Sequence, residues 1–171
     1  MDTSAVTGQF EVWVEGFFNT THHIDSPLGN WGDLTLPGFA NQATFETQDG
    51  RTLNLVQTRW WASTYELREG HMVVGTASPR GFLKNEMDVG FRGLMYRLVP
   101  EGIFSTAWRL LDAEGNTVIL VDRRGIFKAG AYVTAQVPVP LDLVVFTYYL
   151  VNRRWQQQSA AAASTAAAAG S

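Results

Sequence analysis

The stretch from Val137 to Val151, VPVPLDLVVFTYYLV, holds a single charge, Asp142, and runs into Asn152-Arg153-Arg154-Trp155. Pro140 suits the first turn of a helix, where its missing N–H costs no hydrogen bond. Asp142 then falls near the positive end of the helix dipole and Arg153-Arg154 near the negative end, so the charges agree with the direction of the chain. From Leu141 to Val151 apolar residues occupy every helical face. A helix of that kind must be surrounded, by protein or by lipid. Spanning a bilayer takes about 20 apolar residues, since the hydrocarbon core is about 30 Å thick and each residue rises about 1.5 Å. The uncharged, proline-free part, Leu143–Val151, is nine residues long. The alternative is a tail anchor that adds the Ala-rich segment behind it, but Arg153-Arg154 and Gln156–Gln158 would cut such a span in half. Burial by the chain's own sheet is the predicted outcome.

The remainder of the chain supplies that sheet. Acid-Gly turns, Asp49-Gly50, Glu69-Gly70 and Glu114-Gly115-Asn116, separate β-branched and aromatic segments, the pattern of hairpins in which Gly takes φ > 0. Leu53 and Leu55, Tyr65 and Leu67, and Phe10, Val12 and Val14 each alternate with polar neighbours at period two. A first strand is placed near residues 9–18, and the Gly-, Pro-, Asn- and Asp-rich stretch Asn19–Gly38 reads as a long loop. Roughly a dozen strands fit between Gln9 and Gln136, and closing them into a barrel removes exposed edges. Ten Phe, six Trp and five Tyr supply volume for the space around the helix. The predicted fold is therefore mainly β, a closed antiparallel barrel of about twelve strands around a central C-terminal hydrophobic helix. At 171 residues with 46% apolar content, the chain fits one such domain over residues 1–158. The last residues, Ser159–Ser171, hold eight alanines with Ser, Thr and Gly. They read as a frayed, disordered tail or linker.

An internal duplication relates two hairpins. Tyr65-Glu66-Leu67 matches Trp108-Arg109-Leu110, and the acid-Gly turns follow in both. Arg80-Gly81-Phe82-Leu83-Lys84 then matches Arg124-Gly125-Ile126-Phe127-Lys128. Each Arg-Gly run is expected to open a new strand, with its Arg and Lys facing outward.

These residues carry a resemblance. The short strands, the duplicated hairpin with its Arg-Gly segment, and the hydrophobic helix after Val-Pro-Leu resemble the tubby C-terminal-like superfamily, which joins tubby domains, LURP-one-related proteins and phospholipid scramblases. The likeness is to small prokaryotic LURP-one-like members. It lies in Tyr65–Lys84, Trp108–Lys128 and Pro138–Trp155, and covers residues 43–157. The resemblance implies a twelve-stranded barrel around a central helix. It also implies a lipid-related role, since tubby domains are associated with phosphoinositides and scramblases with phospholipid movement. The cysteine-rich and proline-rich segments of many scramblases have no counterpart here.

Charge is divided along the chain. Residues 1–50 contain seven acids and no Lys or Arg, giving −7; the other nine acids and all thirteen basic residues follow, giving +4 and a net of −3. Such a division can mark one face for an anionic partner, or a folded barrel can interleave the two halves. The basic set is mostly Arg, which favours bidentate contacts with phosphate or carboxylate. Arg80, Lys84, Arg123, Arg124 and Lys128 are the candidate anion-binding residues. Arg59-Trp60-Trp61 is a candidate aromatic contact; were it on a strand, one Trp would face in and the other out.

Zero cysteines exclude a disulfide scaffold, a thiolate metal site and a cysteine nucleophile. Glycine-rich phosphate loops, metalloprotease His pairs and nucleophile elbows are not found. His22-His23 with Asp25 is the nearest thing to a metal cluster, but adjacent side chains on a strand point to opposite faces. No metal, cofactor or catalytic residue is therefore expected. The N-terminus shows no secretory signal, and a cytoplasmic protein peripheral to the membrane is expected. The leading functional expectation is a non-enzymatic binding or scaffold domain that meets anionic phospholipid headgroups. The alternatives are a nucleic-acid-binding or protein-assembly module, and a hydrolase.

Overall fold

The computed structural model describes residues 5–38, 41–59, 61–81, 85–102, 105–125 and 129–169. Twelve strands form one closed antiparallel barrel. They are β1 (Ala5–Glu15), β2 (Thr20–Ser26), β3 (Gly29–Leu36), β4 (Gln42–Thr47), β5 (Thr52–Arg59) and β6 (Thr64–Glu69), then β7 (Met72–Arg80), β8 (Glu86–Phe91), β9 (Leu94–Pro100), β10 (Trp108–Leu111), β11 (Thr117–Arg123) and β12 (Gly130–Pro140). Each strand pairs with its sequence neighbours. β12 closes the ring on β1, with Phe10 opposite Val133. The closure leaves no edge strand exposed. Helix α1 (Leu141–Ala169) follows β12 without a break.

The three acid-Gly turns stand where the sequence places them, joining β4 to β5, β6 to β7 and β10 to β11. Gly50, Gly70 and Gly115 have φ of 81°, 59° and 87°. Leu53, Leu55, Tyr65 and Leu67 point inward and are buried, as the period-two alternation requires. These hairpin turns, with those joining β2 to β3 and β8 to β9, lie at the end of the barrel where α1 begins, here called proximal. The other linkers lie at the distal end.

The helix fills the lumen. Every residue from Leu141 to Val151 is buried, including Asp142 and Thr147. Its partners come from all around the ring. Asp142 meets Arg51 and Arg92 on proximal turns, and the Tyr148 hydroxyl meets His22 on β2. Tyr149 lies edge-on to Tyr65 on β6. At the distal end, Trp155 Nε1 donates to the Thr106 carbonyl at 2.9 Å. The helix comes close to the wall at Gly75 on β7, where an added Cβ would lie 3.1 Å from both Phe146 Cε1 and Leu67 Cβ. An all-round apolar helix is thus matched by an all-round wall. Each fully buried large side chain contributes about 1.5–3 kcal/mol of transfer free energy.

Several local expectations are corrected. Residues 19–38 are not a long loop: they hold β2 and β3, joined by a tight turn at Pro27-Leu28. His22 and Ile24, then Leu34 and Leu36, alternate inward, but Gly and Asp dilute the signal. Gly32 is there for a packing reason, since a Cβ would sit 2.7 Å from Phe45 Cζ and 2.3 Å from the Glu46 carbonyl oxygen; the strand admits the Phe45 ring only where it has no side chain. The first strand begins at Ala5, because β1 pairs as far as Pro140 on β12.

The Arg-Gly pairs close strands instead of opening them. Arg80 ends β7 and Arg124 follows β11, and Gly81 and Gly125 turn the chain with φ of 67° and 128°. Lys84 and Lys128, with Phe82, Leu83, Ile126 and Phe127, lie outside the described residues. The Ala-rich tail is helical to Ala169. Ala has the most favourable helix propensity, and extending a helix already anchored in the barrel avoids the cost of nucleation.

Candidate functional site

Sequence reasoning names Arg59, Arg80, Arg123 and Arg124 among the described residues, and topology brings all four to the distal end. The two halves of the duplication, hairpins β6–β7 and β10–β11, both deliver their Arg-Gly pair there. The distal end also carries Arg153 and Arg154, where α1 leaves the barrel. Its described acids are Glu15, Glu86, Glu101 and Asp122, and Glu11 and Asp88 reach its arginines. At the proximal end Asp25, Glu46, Asp49, Glu69, Asp112, Glu114 and Asp142 outnumber Arg51, Arg68 and Arg92. The charge that the sequence divides between its halves is therefore mixed by the fold: the proximal end is acidic, and the distal arginines are offset by carboxylates to different degrees.

The basic residues differ in how far they are neutralised. Arg80 pairs with Asp88 at 3.1 Å. Arg124 pairs with Glu11 on β1 at 2.6 Å, so the acidic first segment covers part of the basic second. Arg123 pairs with no carboxylate among the described residues. Its guanidinium lies 4.9 Å from the centre of the Trp155 ring, an arrangement that orients the cation without cancelling its charge. Arg154 is half-buried, with Nε and Nη2 unpartnered, and burial pushes its guanidinium below the ordinary value. Arg59 ends β5 and is exposed. Trp60 lies outside the described residues. Trp61 belongs to the turn after β5, so the in-and-out rule for a strand does not govern it, and it is 66% exposed. On the same rim, Phe17 and Phe18 are 88% and 69% exposed, packed edge-on with ring centres 5.0 Å apart.

Arg123 stands in a cleft of about 590 Å³ between emerging α1 and the wall formed by β1, β2, β11 and β12. Sequence reasoning misses the other polar groups of this cleft. Tyr148, Asn152 and Ser159 share one helix face by their spacing, and Asn152 and Ser159 line the cleft with Gln156. Across from them, Thr20 and His22 project from β2. None of the described residues that line it is an Asp or Glu.

His22 and Tyr148 form a buried relay. Their Nδ1 and hydroxyl are 2.6 Å apart, and His22 Nε2 is 3.1 Å from Thr20 Oγ1. Burial raises the Tyr148 phenol above its ordinary value, so it stays protonated, and His22 is its hydrogen-bond partner. The phenol therefore donates to Nδ1, the neutral ring carries its proton on Nε2 and donates to Thr20, and the threonine hydroxyl is left to donate into the cleft. Burial, with a smaller effect of neighbouring His23, lowers His22 from 6.5 to about 4. A base that weak holds a proton poorly at neutral pH, so the pair organises a hydrogen-bond donor. Neighbouring His23 faces outward, stacked on Trp13 with centres 3.9 Å apart and bonded to Asp33 at 2.8 Å. The two histidines cannot share a metal, and no group of three metal-ligating side chains occurs among the described residues.

The His22 shift has a consequence for stability. Its folded value of about 4 lies below its ordinary 6.5, so between those values the unfolded chain binds the proton and the folded one does not. The contribution is present in full above pH 6.5, is lost as pH falls, and amounts to about 3 kcal/mol by pH 4. Urea unfolding at pH 7 and 4.5 checks this against His22→Asn, which keeps an acceptor but does not titrate. The pH dependence is expected to be shallower in the variant, and equal slopes would show that His22 does not drive it.

Comparison with protein-family models, with curated proteins and with solved structures finds no match to this chain. Among the described residues no helix is long and apolar enough to cross a membrane.

Proposed function

We propose that the protein is a non-enzymatic binding domain that meets anionic phospholipid headgroups through the distal end of its barrel. The observation that carries this reading is the coincidence, on one rim, of Arg123 without a carboxylate partner and the exposed aromatics Phe17, Phe18 and Trp61. A guanidinium that no carboxylate pairs attracts an anionic surface, and aromatic side chains partition into the headgroup region. Beyond the rim α1 projects from Ala160 to Ala169 with no charged residue, so contact with the interface costs no ion desolvation. The likeness to the tubby-like superfamily points the same way.

Co-sedimentation with vesicles tests it. Retention is expected with phosphatidylserine-containing vesicles and not with pure phosphatidylcholine, and should weaken several-fold between about 0.1 M and 0.5 M salt as screening shortens. Replacing Phe17 and Phe18 by Ser should release most of the bound protein. Equal indifference to both vesicle types would end the reading.

A second reading, protein assembly, is favoured by Met72, Val73, Leu94 and Met95. These residues are about half or more exposed and sit on neighbouring proximal hairpins. Light scattering showing an oligomer that Met95→Lys dissociates would support it. The nucleic-acid alternative draws on Arg59 and Trp61, and is answered by a low-salt gel shift.

A further inference from the structure

We infer that the distal cleft is a site for a single phosphate group, a phosphate ester in the first instance, seated between Arg123, Thr20 and Asn152. The inference rests on the phospholipid reading for the source of the phosphate, but the chemistry of the cleft stands apart from it.

Among the described residues, the cleft's polar groups are one cation and uncharged side chains, without a carboxylate. An anion entering it meets no like charge and gains a guanidinium already oriented by the Trp155 ring. The Tyr148–His22–Thr20 relay directs a hydroxyl hydrogen toward the same space. Asn152 lines the cleft from the helix side, and its Nδ2 is buried without a hydrogen-bond partner. A buried donor left unpaired is uncommon. An amide half-turn exchanges nitrogen and oxygen without changing the shape of the side chain, and so turns that donor toward a ligand. The three donors come from β2, the end of β11 and α1, and barrel closure brings β2 to the other two; the volume of about 590 Å³ falls in the range of small-ligand sites. A divalent cation is not a candidate, because Arg123 repels it and the cleft offers it no carboxylate.

Calorimetric titration with dihexanoyl phosphatidic acid, kept below its micelle concentration, and in parallel with inorganic phosphate, tests the inference on the full chain. Saturable binding of at least one probe at a stoichiometry near one is expected. Arg123→Gln and Asn152→Asp should each weaken it about tenfold or more, the loss of one charge-assisted contact or the addition of a like charge. Arg80→Gln, outside the cleft, should leave it unchanged. Unfolding midpoints without ligand identify a variant that fails to fold, and Thr20→Val, which removes only the hydroxyl, then carries the test. Absence of saturable binding to both probes, or binding indifferent to Arg123, Asn152 and Thr20, overturns the inference. Vesicle retention that persists through that failure leaves the phospholipid reading standing. Binding of inorganic phosphate by a protein that ignores vesicles keeps the cleft and removes the lipid.

Discussion

Replacing Phe146 by Ala is expected to destabilise the protein by about 4 kcal/mol, near the middle of the range for buried Phe→Ala changes. Phe146 is fully buried at mid-lumen, its ring beside Gly75, where an added Cβ would lie 3.1 Å from it. The cost of such a truncation depends on whether the surroundings collapse into the space. Here they are held apart, because the hydrogen-bonded ring of twelve strands sets the barrel's diameter and a closed sheet cannot contract by one side chain. The vacated volume therefore stays open. Urea unfolding followed by tryptophan fluorescence measures the change, with Phe146→Leu expected to cost much less. A loss under about 1.5 kcal/mol for the alanine variant would mean that the helix does not occupy the lumen.

Asp142→Ala is expected to cost about 3 kcal/mol, the lower part of the range for breaking a buried ion pair. Asp142 has no exposure, and its carboxylate receives Arg51 Nη1 and Nη2 at 2.9 and 2.6 Å and Arg92 Nη2 at 3.0 Å. Glu69 joins both arginines at 3.3 and 3.5 Å. Three proximal turns are thus tied to the first turn of α1, and hydrogen bonding to Asp142 holds the Arg51 guanidinium further above its ordinary value. Arg92 adopts φ of 47°, with Gly93 at 82°, in a two-residue hairpin turn. That conformation disfavours a non-glycine residue, and the bond to Asp142 compensates for it. The arginines are partly exposed, at 28% and 36%, so water screens them once the acid is gone and the loss stays at the lower end. A double-mutant cycle with Arg51→Met reads the coupling directly. Additive losses would show that the network contributes no more than its separate parts.

Much of the architecture was legible because it follows from short-range patterns. The turns at Gly50, Gly70 and Gly115 are local chemistry, and the inward alternation of Leu53, Leu55, Tyr65 and Leu67 needs no knowledge of partners. The stretch Asn19–Gly38 was misread because β3 carries Gly32 where the wall must receive the Phe45 ring, a demand made by a neighbouring strand. The candidate site was legible only in part. Arg123 was named, but beside Arg124 and Arg80, which the fold pairs with Glu11 and Asp88. Thr20 and Asn152 carried no signal, and His22 stood out only as part of a metal-like cluster, since it meets Tyr148 across 126 residues of chain.

A helix without a polar face, preceded by enough alternating segments to enclose it, determined by sequence alone that this chain folds as a sheet around its own C-terminal segment. The cause is local: apolar surface on every side has to be covered, and period-two alternation supplies strands with one apolar face. Which charges remain free, and which side chains converge at the distal end, was decided only by barrel closure. Those are distances between residues far apart in the chain, set when β12 meets β1 and α1 turns back through the ring.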